Sequence, residues 1–188
     1  MINKQFNEEL QKQIDGTLPV GHVYQLGRPG EILRSAGIPD LDIELNAAML
    51  KEKSIQPNHP FDLADMMNLP NVVQEPLAIF KSVTQYDSFV ILTILKQRNK
   101  NYVVALQTNR HKGSIIINSI RSVYPRVGHQ IANWVKSGLL CYADKKGMAD
   151  WVSKQRCNSA EVENLFGQAL NEIDKFKNPS TKKSLLHS

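Results

Sequence analysis

The sequence predicts an α+β domain, a four-stranded antiparallel sheet packed by helices on one side. Three observations predict it. Between Ser88 and Tyr124 three runs, SFVILTIL, NYVVALQT and GSIIINSIRSVY, are rich in Val, Ile, Thr and aromatic residues, as strands are. The connections QRNKN and NRHKG are short enough for hairpins, which makes the pairing antiparallel. On both sides of this block, apolar residues recur every three or four positions, the period of helices with one buried face.

Taken in order, Ile2, Phe6, Leu10 and Ile14 form a narrow apolar stripe on a helix over residues 2–14, ended by Asp15-Gly16. This helix either docks on the body or is the end of a linker. His22 to Leu26 reads as a short strand. Pro29 suits the first turn of a helix and Gly37 its C-terminal cap, so residues 29–36 make two helical turns with Ile32, Leu33 and Ala36 inward. Asp42 to Leu45 alternates like a strand, and Asn46 can cap the helix that follows. Pro60 suits helix position N1, ahead of Phe61, Leu63, Met66 and Met67, which places His59 at an N-cap. NLPNVVQEP is a further helical turn. Pro76 then forces an extended start to LAIFKSV, the first of the four strands.

After the sheet, HQIANWVKSG is an amphipathic helix stopped by Gly138, and LLCYA a short strand. Asp144 can cap a helix bearing Met148, Trp151 and Val152. Trp134 and Trp151 read as core residues rather than base-stacking platforms. Asn158 and Glu161 form a capping box for a last helix whose stripe includes Val162, Phe166, Ala169 and Ile173. The tail STKKSLLHS is expected to fray.

A chain of 188 residues suits one domain with appendages. The boundaries expected are an N-terminal helix or linker over 1–20, the α+β domain over 21–153, and a C-terminal helix and tail over 154–188. No apolar run reaches the roughly 20 residues of a membrane span, and the N-terminus lacks the apolar core of a signal peptide. Cys141 and Cys157 provide neither a disulfide framework nor zinc spacing. The expectation is a cytoplasmic protein that needs no cofactor or metal and has no membrane partner.

Charge is distributed unevenly. From Lys96 through Ala143 there is no Asp or Glu, yet this window holds Lys96, Arg98, Lys100, Arg110, Lys112, Arg121, Arg126 and Lys136. Of 23 Lys and Arg residues, 15 remain outside the window, against 18 acidic ones. Such clustering suits a surface that binds a polyanion. Lysines guarding exposed strand edges are the alternative.

Phosphate-binding loops, dinucleotide fingerprints, zinc-protease helices and nucleophile elbows are absent from the sequence. The residue types fit RNA cleavage without a metal. There the 2′-OH of the RNA is the nucleophile, and the protein supplies proton transfer, cations and alignment. His59 can transfer protons. Lys96, Arg98, Arg110 and Arg121 can stabilise charge. On a regular last strand, Asn118, Ser122 and Tyr124 share a face, so Ser122 and Tyr124 can hydrogen-bond phosphate oxygens. Arg121 joins them only from an edge or through a bulge. A capping or loop role for His59, and plain strand roles for Ser122 and Tyr124, stand beside these readings.

The succession LGRPGEILRSAGIPDLDI, NHPFDLADMMNLPNVVQEPLAIFKS, FVILTILK, YVVALQ, INSIRSVYP and WVKSGLLCYAD resembles the phage MuF C-terminal domain, over roughly residues 22–152. That family is related by fold prediction to the barnase–EndoU–colicin–RelE group of metal-independent RNases. The resemblance implies a barnase- or RelE-like sheet and a phage-derived, toxin-like effector acting on RNA. It also implies an immunity protein or a phage carrier as partner. His59, in NHP, matches the group's recurring histidine, and Ser122, in RSVY, its last-strand polar residue. A basic residue often precedes the histidine in the family; here Asn58 stands there. The alternative function is a non-catalytic phage accessory or antidefence module that binds through the basic sheet face.

Overall fold

The computed structural model describes residues 1–155 and 160–179. Cys157, the predicted capping residue Asn158 and the tail from Ser180 lie outside them. The chain runs α1 (Ile2–Ile14), β1 (Val23–Gln25), α2 (Glu31–Ser35), β2 (Ile43–Asn46), α3 (Ala47–Ser54), a 3-10 turn (Leu63–Met66) and α4 (Leu69–Gln74). It continues with β3 (Ala78–Lys81), β4 (Ser88–Gln97), β5 (Lys100–Lys112), β6 (Ile115–Arg126), α5 (Gly128–Lys136), β7 (Leu140–Ala143), α6 (Lys145–Ser153) and α7 (Ala160–Lys175).

The fold is α+β, but the sheet is wider than four strands. Seven strands lie in the order β1-β2-β6-β5-β4-β3-β7. The expected antiparallel meander, β3 to β6, forms its centre. β2 joins β6 in parallel, which makes the sheet mixed. β1 and β7 close the two edges, each antiparallel to its neighbour. The sequence marks these short segments as extended but gives no sign of where they pair, because pairing is a long-range property.

Helices cover both faces, not one. Alternate residues of each central strand enter different cores, as the two-residue period of a strand requires. Ile79, Ile91, Tyr102 and Val104 pack against Phe6, Leu10, Leu33, Leu50, Met66 and Leu69 of the N-terminal helices. Their neighbours Ala78, Phe80, Leu92 and Val103 pack against Ile131, Val135, Met148, Trp151, Phe166 and Ile173 of α5 to α7. A polar bridge ties this second layer to the central strands: Trp151 Nε1 donates to Asn101 Oδ1 (3.1 Å), and Asn101 Nδ2 donates to the carbonyl of Thr93 (2.9 Å).

α1 belongs to the first core. Phe6 and Leu10 are buried, while Ile2 and Ile14 at the ends of the stripe are exposed. Gln13 is buried too and acts as a clasp, donating to Ala47 O (2.6 Å) and accepting from Tyr24 Oη (2.7 Å). Asn46 caps α3 as its sequence suggests, accepting from Met49 N at 3.0 Å. His59 does not cap a helix. It lies in a turn closed by its own N–H on Gln56 O (3.1 Å), and Asp62 caps the 3-10 turn instead. The first helical residue therefore comes three positions after Pro60, and His59 gains nothing from a helix dipole.

Candidate functional site

The last long strand is not regular. β5 and β6 pair Ala105 with Ser122 and then Leu106 with Ile120, so Arg121 is an extra residue with no partner across the ladder. Ile120 and Val123, three residues apart, consequently both enter the N-terminal core. Asn118 stays on the Ile120 side, donating to the carbonyls of Pro39 (2.8 Å) and Leu41 (3.1 Å). It therefore does not share a face with Ser122 and Tyr124. Beyond the bulge, Ser122, Tyr124 and Arg126 point to the opposite side at two-residue spacing, and Arg121 joins them.

These four side chains line a cavity of about 380 Å³ on the sheet face that α5 to α7 cover only in part. Its other walls are the β3–β4 connection with Lys81, the central strands with Ser88, Val90, Ala105 and Gln107, and the edge of α5 with Trp134. No lining residue is Asp or Glu. Among the described residues, Lys81, Arg121 and Arg126 have no carboxylate within ion-pairing distance. Arg121 and Lys81 stand exposed at the rim. Arg126 lies deeper, its guanidinium carbon 5.4 Å from the centre of the Tyr124 ring and 5.1 Å from that of Trp134. Burial pushes the Tyr124 phenol above its ordinary pKa, an effect Arg126 opposes.

The sequence-predicted residues fall into three places. Arg121, Ser122 and Tyr124 meet in the cavity. His59 and Arg98 line a neighbouring depression of about 420 Å³ with Asn58, Lys100 and Pro125. Tyr124 is the link between the two, since its ring centre is 6.3 Å from that of His59. On the side away from β5, β2 pairs with β6 only as far as Ile120, and the turn holding His59 is tied to β4 by Gln97 Nε2, which donates to Pro60 O (2.9 Å). Lys96 and Arg110 line neither space. Lys96 is exposed opposite Asn101 near the β4–β5 turn. Arg110 sits at the other end of β5, roughly 33 Å from Lys100 at strand rise, beyond a second bulge where Asn109 takes a positive φ. Its guanidinium donates to Gln107 Oε1 at 3.0 Å.

The site also contains residues the sequence did not single out. Arg126 extends the 122–124 alternation by one more step, so that periodicity contained the signal. Trp134 is only half-buried and lines the cavity, packing edge-on to Phe80 with ring centres 5.5 Å apart, whereas Trp151 is the core residue expected. Lys81 and Ser88 come from other strands and carry no local signal.

No curated protein and no solved structure matches the chain. The profile of the phage MuF C-terminal domain matches residues 50–150, from the middle of α3 into α6. The match takes in His59, the four central strands and the whole bulged segment of β6. It begins later than the resemblance read from the sequence and leaves out β1, α2 and β2. With just over half of its residues inside the profile, the chain belongs to the family of phage MuF C-terminal domains.

Proposed function

We propose that this domain is a metal-independent, RNase-type effector that cleaves RNA by attack of the 2′-OH on the adjacent phosphate. The observation that carries the reading is the bulge at Arg121. It gathers a hydroxyl, a phenol and two guanidinium groups into a cavity without a carboxylate. Such a space attracts a phosphodiester and repels nothing about it. In the reaction the O2′–P bond forms and the P–O5′ bond breaks. His59, exposed beside Tyr124, accepts the 2′-OH proton, and water at the open mouth supplies the proton that leaves with O5′. Ser122 and Tyr124 donate to the non-bridging oxygens, and Arg121 and Arg126 stabilise the phosphorane charge. Arg98, next to His59, contacts a flanking phosphate. An inhibitor protein or a phage carrier belongs to the same reading, as the partner of a toxin-like domain.

The test is incubation with tRNA or mRNA in EDTA, followed by analysis of the ends. The reading expects 2′,3′-cyclic phosphates, with cleavage lowered about a hundredfold in His59→Ala, the scale of one general base. Uncut RNA, or equal cutting by His59→Ala, overturns it. A second reading, a non-catalytic phage accessory or antidefence module, is favoured by one observation: His59 and Ser122 open onto different depressions. Tight RNA binding without any turnover selects that reading.

A further inference from the structure

Arg126 is an unusual cation. Its guanidinium lies over the rings of both Tyr124 and Trp134, and its Nε is buried without a hydrogen-bond partner among the described residues. The aromatic faces replace water on the weakly hydrated flat sides of the guanidinium. They leave its in-plane N–H groups as the only polar edge. No carboxylate lines the cavity to neutralise it. A buried guanidinium N–H without a partner among the described residues is costly unless something else satisfies it. An anionic acceptor at the N–H edge of the guanidinium would satisfy it and balance its charge.

We propose that Arg126, its guanidinium over the rings of Tyr124 and Trp134, is the phosphate-binding centre of the cavity. Lys81 and Arg121 then attract the anion at the rim, and Arg126 fixes its position. The proposal deepens the RNA-cleavage reading and rests on it for the identity of the anion as a backbone phosphodiester.

The dinucleotide dTpdT tests it directly, because it carries one phosphodiester and no 2′-OH to cleave. Binding is read from tryptophan fluorescence, to which Trp134 beside Arg126 and the core Trp151 both contribute, with thymidine as the phosphate-free control. The expected result is a saturable change with dTpdT and none with thymidine. Arg126→Met weakens dTpdT binding at least about tenfold, the scale of a hydrogen bond to a charged group. Arg126→Lys, which keeps the charge but loses the planar fork, gives an intermediate loss. Lys81→Ala at the exposed rim changes it less than about threefold. Circular dichroism separates lost binding from lost folding. Equal binding by wild type and Arg126→Met overturns the Arg126 site. If Arg126→Met also cuts RNA at the wild-type rate, the cleavage reading stands without it. If the Arg126 site holds dTpdT but RNA stays intact, the site stands and the cleavage reading falls.

Discussion

Arg121 faces no residue across the β5–β6 ladder, and this unpaired position turns Ser122, Tyr124 and Arg126 toward the cavity while Ile120 and Val123 both reach the core. The exposed Arg121 side chain makes no core contact, so Arg121→Ala is expected to leave stability within about 0.5 kcal/mol. RNA affinity should fall in that variant, and the slope of log affinity against log salt should drop by about one phosphate contact. Filter binding over a salt series checks both. A different role falls to Tyr102, whose hydroxyl donates to Asp65 Oδ2 at 2.6 Å. Tyr102→Phe removes a hydrogen bond to a charged group and should cost about 1.5–3 kcal/mol in urea unfolding at neutral pH. At this scale the sequence was legible where chemistry is local. Asn46 as a cap and Ser122 with Tyr124 on one face follow from neighbours in the chain. The capping role of His59 did not follow, because Asp62 competes for the same turn with a better-placed carboxylate. Nor did a cavity role for Arg126 and Trp134, which depends on strands and helices distant in sequence.

At the scale of elements, α1 shows how a short amphipathic stripe becomes part of a core. Its two central apolar residues are buried and its outer two are exposed, and the Gln13 clasp fixes its end to β1 and α3. Phe6→Ala should therefore cost about 3–5 kcal/mol, measured by denaturant unfolding. A helix that were only the end of a linker would show almost no change. Every described helix and strand was visible in the sequence, because each has its own periodicity or cap. The place of β1, β2 and β7 in the sheet was not, since three- and four-residue strands carry no register information. The bulge was visible only as a condition: Arg121 had to come through one to reach Ser122. Deleting Arg121 should regularise β6 and move either Val123 out of the core or the 122–126 side chains out of the cavity. Loss of RNA binding or of several degrees of melting temperature is the expected result.

At the scale of the molecule, a sheet buried on both sides puts its tyrosines under one rule. Desolvation raises the pKa of Tyr24, Tyr102, Tyr124 and Tyr142, with Glu9 adding to Tyr24, the Asp65 hydrogen bond to Tyr102 and Asp144 to Tyr142. The folded state therefore keeps these phenols protonated at pH values where the unfolded chain, with phenol pKa values of about 10, releases its protons. Their contribution to stability is complete below about pH 10 and is lost as pH rises through the folded values. Thermal melts from pH 8 to 11 should show a steep alkaline decline, flattened in Tyr24→Phe and Tyr102→Phe. Compositional clustering, visible in the sequence as a window without Asp or Glu, acquires its meaning only at this scale. Of the eight cations of that window, Lys96, Arg98, Lys100, Arg110 and Lys112 lie toward the ends of β4 and β5 and Lys136 ends α5, while Arg121 and Arg126, with Lys81 from outside the window, line one cavity and Arg98 and Lys100 the depression beside it. Among the described residues no helix is long and apolar enough to cross a membrane.

Where a single-stranded RNA touches this surface decides whether the bulged strand is the binding site. An amide chemical-shift titration of the labelled protein with an uncleavable, 2′-deoxy-substituted oligonucleotide answers that question residue by residue. The expected perturbations run along Arg121 to Arg126, the Ser82–Gln85 connection and the turn holding His59. Shifts confined to the Lys112–Ser114 hairpin or to the outer face of α7, with the bulged strand silent, would contradict that placement.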